Sequence, residues 1–170
     1  MMAEVPSILN WLDDERLACP RANFLAVSDH RAHTRESTPD EFILMKPRDL
    51  IEWYEATFAA DPPKEVLEIG IFKGGSVVLF SELWRPEHLV AVDIAVEPLR
   101  ALDEYVRRYE LAESVKPIFG IDQADATTMR SLISSGFGGA PLDLVVDDGL
   151  TRGEDYDVPP SALKSRVSSK

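Results

Sequence analysis

The stretch that decides the fold reads Val66-Leu67-Glu68-Ile69-Gly70-Ile71-Phe72-Lys73-Gly74-Gly75-Ser76. Residues 65–70 form a short apolar run ending in glycine, which predicts a strand. Residues 74–84 place Val77, Val78, Phe80, Leu83 and Trp84 at helical spacing. The same alternation continues outward. Residues 88–93 (HLVAVD) predict a second strand, and 96–111 a helix with Leu99, Leu102, Val106 and Leu111 on one stripe. Residues 115–119 predict a third strand, 125–135 a third helix closed by Gly136-Phe137-Gly138-Gly139, and 142–147 (LDLVVD) a fourth strand. Strand–helix alternation of this kind implies right-handed βαβ units and a parallel sheet covered on both faces, a Rossmann-like, doubly wound α/β arrangement.

Upstream, residues 4–17 space Ile8, Trp11, Leu12 and Leu17 as one face of an amphipathic helix, and 19–37 read as polar and irregular. His30 and His33 lie there at a spacing open to a metal, but with no third ligand nearby they read as solvated loop residues. Thr38-Pro39-Asp40-Glu41 has the capping residue, proline and acids of a helix start, and Pro47 ends that helix. A further helix is expected over 48–60, closed by Asp61-Pro62-Pro63. The expected organisation is an N-terminal helical segment (1–63), a cofactor-binding half-domain (64–151) and an irregular tail (152–170). The tail expectation rests on Pro159-Pro160 and on the serines and basic residues of 158–170.

The chain has 170 residues, 45% of them hydrophobic, which suits one globular domain, and its formal net charge is −12. Such acidity argues against nucleic acid or an anionic membrane as partner, because both require a basic face. The single cysteine, Cys19, forms no internal disulfide. No stretch approaches the roughly 20 apolar residues of a membrane span, and the first residues, MMAEVPSILNWLDDE, lack a secretory pattern. A cytoplasmic location is expected.

In an open α/β sheet, ligands bind beyond the carboxyl ends of the strands, where the strand order reverses. Glycine in the first strand–helix turn admits close approach of a ligand, and an acid ending the second strand, Asp93, can accept from ribose hydroxyls. Any adenosine cofactor fits that logic. Three details favour S-adenosylmethionine (SAM) over NAD. The dinucleotide pattern G-x-G-x-x-G needs glycine where this chain has Phe72. Glu68 precedes the first glycine by two residues, placed to orient the loop and face a cationic group. After the third strand, Gly120-Ile121-Asp122-Gln123 supplies an acid for an adenine amino group. No Walker-type phosphate loop is present.

These motifs, ending with Asp143-Leu144-Val145-Val146-Asp147-Asp148-Gly149, resemble the class I SAM-dependent methyltransferase family. The nearest resemblance is to its branch of metal-dependent macrolide-sugar O-methyltransferases and cephalosporin hydroxylase-like proteins, over roughly residues 45–150. The resemblance implies that Glu68, Gly70, Phe72, Gly74, Gly75 and Ser76 line the methionine and ribose portion, Asp93 the ribose hydroxyls, and Asp122 and Gln123 the adenine. It implies a catalytic role for Asp147 and Asp148 beside the methyl group, with Asp148 a Mg²⁺ ligand, and a small-molecule hydroxyl, on a sugar or other natural product, as acceptor. The family's general-base histidine falls at Thr151, which cannot take a proton near neutral pH. Its remaining metal ligands fall beyond Lys170, and it has more strands than the four legible here. The expectation is therefore a chain truncated soon after the fourth motif, a remnant of doubtful activity that self-associates through an exposed fourth strand.

Overall fold

The computed structural model describes residues 7–149. In chain order it contains β1 (Asn10–Trp11), β2 (Arg16–Ala18), β3 (Asn23–Ala26), a 3₁₀ turn (His30–Thr34), β4 (Glu41–Leu44) and α1 (Arg48–Phe58). There follow β5 (Glu65–Ile69), α2 (Gly75–Trp84), β6 (His88–Asp93), α3 (Arg100–Arg108), β7 (Val115–Phe119), α4 (Ala126–Gly136) and β8 (Leu144–Asp147). No helix among the described residues is long and apolar enough to cross a membrane.

Strands β5 to β8 form an all-parallel sheet in the order β7-β6-β5-β8. The reason lies in their composition: β6 is apolar from Leu89 to Val92 and β5 at Val66, Leu67 and Ile69, which suits strands buried on both faces. Their side chains sort by parity. Val66, Leu89, Ala91, Val115, Leu144 and Val146 point to one face, where Ile51 and Tyr54 of α1, Val77 to Phe80 of α2 and Leu102 and Tyr105 of α3 cover them. Leu67, Val90 and Val92 point to the other, against Met129 of α4 and Phe137 beyond it. The sidedness follows from handedness. From β5 to β6 to β7 the chain steps one way across the sheet, so α2 and α3 share a face. The return to β8, past β5, puts α4 opposite. Pro117 sits on β7, an edge strand, where a missing N–H breaks no central ladder.

Residues 7–46 correct the sequence reading. Where 4–17 predicted a helix, β1 and β2 form an antiparallel pair, Asn10 opposite Ala18. Within the segment read as irregular, β3 pairs with β2, and the 3₁₀ turn starts on Asp29, whose side chain accepts from Arg31 N. The helix expected from Thr38 is instead β4, parallel to β3 with Phe24 opposite Phe42. The N-terminal segment is thus a four-stranded mixed sheet followed by one helix, not a helical segment. The cause is tertiary. Phe42, Ile43 and Leu44 are all buried, and an unbroken apolar run suits a strand covered on both sides. A helix of the same residues would turn one of them to solvent.

That sheet packs on the outer side of α2. Helix α2 buries Val77, Val78, Leu79, Phe80, Ser81, Glu82 and Trp84, so it is enclosed from both directions. One core therefore runs from Leu17, Phe24 and Phe42 through α2 to Val66 and Val146. The contact requires Gly75. A Cβ there would lie 2.2 Å from the Ile43 carbonyl oxygen and 2.9 Å from Leu44 Cα.

Elsewhere the expected elements are observed with trimmed ends. The strand expected over 142–147 begins at Leu144, and the helix expected over 96–111 begins at Arg100, leaving Val96 77% exposed. The tail from 152, Thr151 and any strand beyond β8 lie outside the described residues.

Candidate functional site at the strand tips

The parallel register levels the carboxyl ends of the sheet: Ile69 stands opposite both Val92 and Asp147, and Asp93 opposite Phe119. The loops leaving β5, β6, β7 and β8 therefore emerge side by side. These loops, the strand ends beneath them and the first turn of α2 carry Glu68, Gly70, Phe72, Gly74, Gly75, Ser76, Asp93, Asp122, Gln123, Asp147 and Asp148. The tightest approach is between the β5 and β8 loops. Gly70 has φ +95°, and a Cβ on it would fall 2.9 Å from the Asp148 carbonyl carbon and Gly149 N. Gly70 N donates to Val92 O at 2.8 Å and Asp148 N to Ile69 O at 2.9 Å, continuing the ladder into both loops. Gln123, from the β7 loop, reaches the same place: a Cβ on Gly149 would meet its Oε1 at 2.3 Å.

Beneath this crevice is a cluster that the motifs only half revealed. Glu68, on β5, is fully buried, and neither carboxylate oxygen has a hydrogen-bond partner. Burial pushes its pKa up to about 8, opposed by the Lys46 charge and the nearby Ser76 hydroxyl. Glu68 thus lies under the crevice instead of on its surface. Lys46, two residues beyond β4, is also buried. Its ammonium donates to Asp148 Oδ2 and lies 5.8 Å from the Tyr54 ring centroid and 5.7 Å from that of Phe80. Burial alone would lower the Lys46 pKa, but the Asp148 charge, with Tyr54 and Glu68 behind it, more than reverses this and raises it. The charged pair is therefore Lys46 with Asp148. Asp148 is one-third exposed and Lys46 hardly at all.

Asp93 is occupied by its own backbone. Oδ2 accepts from Ile71 N (2.7 Å) and Phe72 N (3.0 Å), and Oδ1 from Ala95 N (2.8 Å). A carboxylate offers about four acceptor sites, so one remains for a ligand hydroxyl, and a second hydroxyl would have to displace a loop amide. The acid thus fixes the shape of the loop carrying Phe72. Phe72 itself has φ +53°, a conformation natural to glycine. Its ring meets the edge of His33, 5.1 Å between centroids. The loop is also tied to the N-terminal sheet: Ser37 Oγ donates to Lys73 O at 2.7 Å and accepts from Ile43 N of β4.

The two remaining loop glycines have structural occupations. Gly74 caps α2 at φ +82°, with Leu99 and Leu102 at 3.5 Å from a notional Cβ, and Gly75 admits β4. Asp122 accepts from Ala124 N at 2.9 Å, forming a local turn, while the cap of α4 is Asp125, bonded to Thr127 N and Thr128 N. Asp147 Oδ1 accepts from Gly149 N at 3.2 Å. Around these polar groups Phe72, Ile94 and Val96 stand exposed. The cavities of about 240 Å³ beside Arg21 hold none of the candidate residues. They are notches between surface side chains, away from the strand tips.

Among the described residues, no three His, Cys, Asp or Glu side chains converge as metal ligands, and His30 and His33 belong to no such group. The donors near Asp148 do not suit a divalent ion either, because its carboxylate already holds an ammonium. Lys46 is the member of this cluster that the motifs missed. The only sign of it in the sequence is a lysine closing the apolar run Phe42-Ile43-Leu44-Met45. No family model, curated protein or solved structure matches the chain.

Proposed function

We propose that this chain is a Rossmann-like SAM-binding protein of the methyltransferase type, acting on a hydroxyl of a sugar or other small natural product. One observation carries the reading: the motif residues, far apart in sequence, belong to four neighbouring strands and loops at one end of a parallel sheet ordered β7-β6-β5-β8. That order reverses between β5 and β8, where Gly70 and Asp148 meet, and such a reversal is where α/β sheets bind nucleosides. Two further features support it. The exposed Phe72, Ile94 and Val96 offer apolar surface for a planar base, and Asp93 keeps one acceptor site for a hydroxyl.

SAM supplies an activated methyl group on a positively charged sulfur. For this chain, Asp93 and the β5 loop would hold the ribose, and Asp122 and Gln123 would border the adenine. Asp147 and Asp148 would face the acceptor, with Lys46 paired to Asp148 beside it. The binding claim is tested by calorimetric titration with S-adenosylhomocysteine and, separately, NADH. Heat with the first and none with the second is expected; the reverse pattern, or silence with both, would sink it.

A second reading, binding without turnover, is favoured by Thr151 at the position of the resembled family's base. Incubation with SAM and a panel of hydroxyl acceptors distinguishes the two, since only the first produces S-adenosylhomocysteine.

A further inference from the structure

The methyltransferase reading brings a divalent cation to Asp148, and the surroundings of that carboxylate are built for something else. Mg²⁺ requires a near-octahedral set of oxygens and gives up its waters reluctantly. The space on Asp148 Oδ2 is instead filled by the Lys46 ammonium, delivered from the N-terminal sheet across the top of α2. The ammonium is flanked by the Tyr54 and Phe80 rings at 5.8 and 5.7 Å, and both rings are fully buried. Aromatic faces attract an ammonium and offer a hydrated divalent ion no ligand. Nor can Lys46 readily leave. Its side chain is 5% exposed, and displacement by a metal would force a second cation into an apolar seat.

We infer that Lys46 is the resident cation of this crevice, and that Asp148 binds no divalent metal. The inference rests on the methyltransferase reading only in so far as that reading raises the question of a metal. The crevice then has a cation whose position is set by the fold and not by the supply of ions. Lys46 acts as a positioning residue: its ion pair sets the direction of Asp148 toward whatever enters between β5 and β8.

The test is a titration of the full chain with Mn²⁺, followed through the resonance of the free ion, for the wild type, Asp148→Asn, Lys46→Arg and Lys46→Met. Wild type and Lys46→Arg are expected to take up no Mn²⁺ that Asp148→Asn abolishes. Lys46→Met is expected to melt at lower temperature, and the double variant Lys46→Met/Asp148→Asn to regain part of the loss, because it removes the stranded carboxylate with its partner. Saturable Mn²⁺ uptake by the wild type that disappears in Asp148→Asn overturns the inference. So does a double variant no more stable than Lys46→Met alone. S-adenosylhomocysteine is titrated in parallel, with and without a chelator. Binding insensitive to the chelator agrees with the inference and chelator-sensitive binding contradicts it. Failure to bind at all sinks the methyltransferase reading and leaves the Mn²⁺ and melting results to decide this one.

Discussion

Replacing Gly75 with alanine separates two roles that one residue could play. A Cβ at this position would stand 2.2 Å from the Ile43 carbonyl oxygen, 2.8 Å from its carbon and 2.9 Å from Leu44 Cα. Ordinary contacts lie near 3.5–4 Å, so α2 and β4 must separate by about an ångström. All three obstructing atoms are backbone, in a strand whose register with β3 is fixed from Asn23 to Ala26, and no side-chain rotation relieves them. Overpacking of this kind costs about 1–3 kcal/mol, and the rigid obstruction places Gly75→Ala at the upper end. Alanine's better helix propensity offsets at most about 1 kcal/mol. A net loss of about 2 kcal/mol is expected, or a fall in melting temperature of about 4–8 °C for a chain of this size. Urea unfolding followed by far-ultraviolet circular dichroism measures it, with an unchanged denaturant slope confirming that the folded state itself is affected. If the variant is as stable as wild type, the packing argument is wrong. If it is also unable to bind S-adenosylhomocysteine, Gly75 serves the ligand.

Two further predictions concern buried charge. Because the Glu68 pKa is raised from 4.5 to about 8, the folded protein keeps a proton that the unfolded chain releases between those values, so stability should decline as pH rises through that window. Glu68→Gln should flatten the decline, and urea midpoints that fall in parallel for both proteins would refute the assignment. Glu82 is buried on α2, held by Arg21 Nε at 2.6 Å and Tyr105 Oη at 2.6 Å. Tyr105→Phe removes a hydrogen bond to a charged acceptor and should cost about 2 kcal/mol, measured by the same unfolding assay, with a loss below a few tenths counting against the bond.

The difference between what could and could not be read from the residues has a physical basis. From Glu65 on, each strand is a short, mostly apolar segment ending at a glycine or acid, and each helix has a stripe. Local pattern and tertiary placement agree there, and β6 and β7 were legible to the residue. Strands β1 and β2 hold two and three residues, too few to display a period, and the spacing of Ile8, Trp11 and Leu12 imitates a helix face. At β4 the cap-like Thr38 was misleading: its hydroxyl accepts from Glu41 N as a cap would, yet Glu41 begins a strand. At the site, the motifs located the crevice but not the occupation of its parts. That Asp93 binds the loop after β5, or that Gly75 faces a strand, depends on distances no spacing encodes. Lys46 was invisible because its partner lies 102 positions away.

Helix α2 belongs to two sheets at once, which makes the linker at Pro62 and Pro63 a poor place to divide the molecule. A fragment starting there would keep the crevice loops but carry a greasy outer wall where Phe24 and Phe42 once lay, and Asp148 would lose its counter-charge with the discarded piece. Whatever chemistry the strand tips perform is thus joint property of both halves. Any attempt to graft, shuffle or trim the N-terminal sheet would alter the electrostatics of the crevice as surely as a substitution inside it.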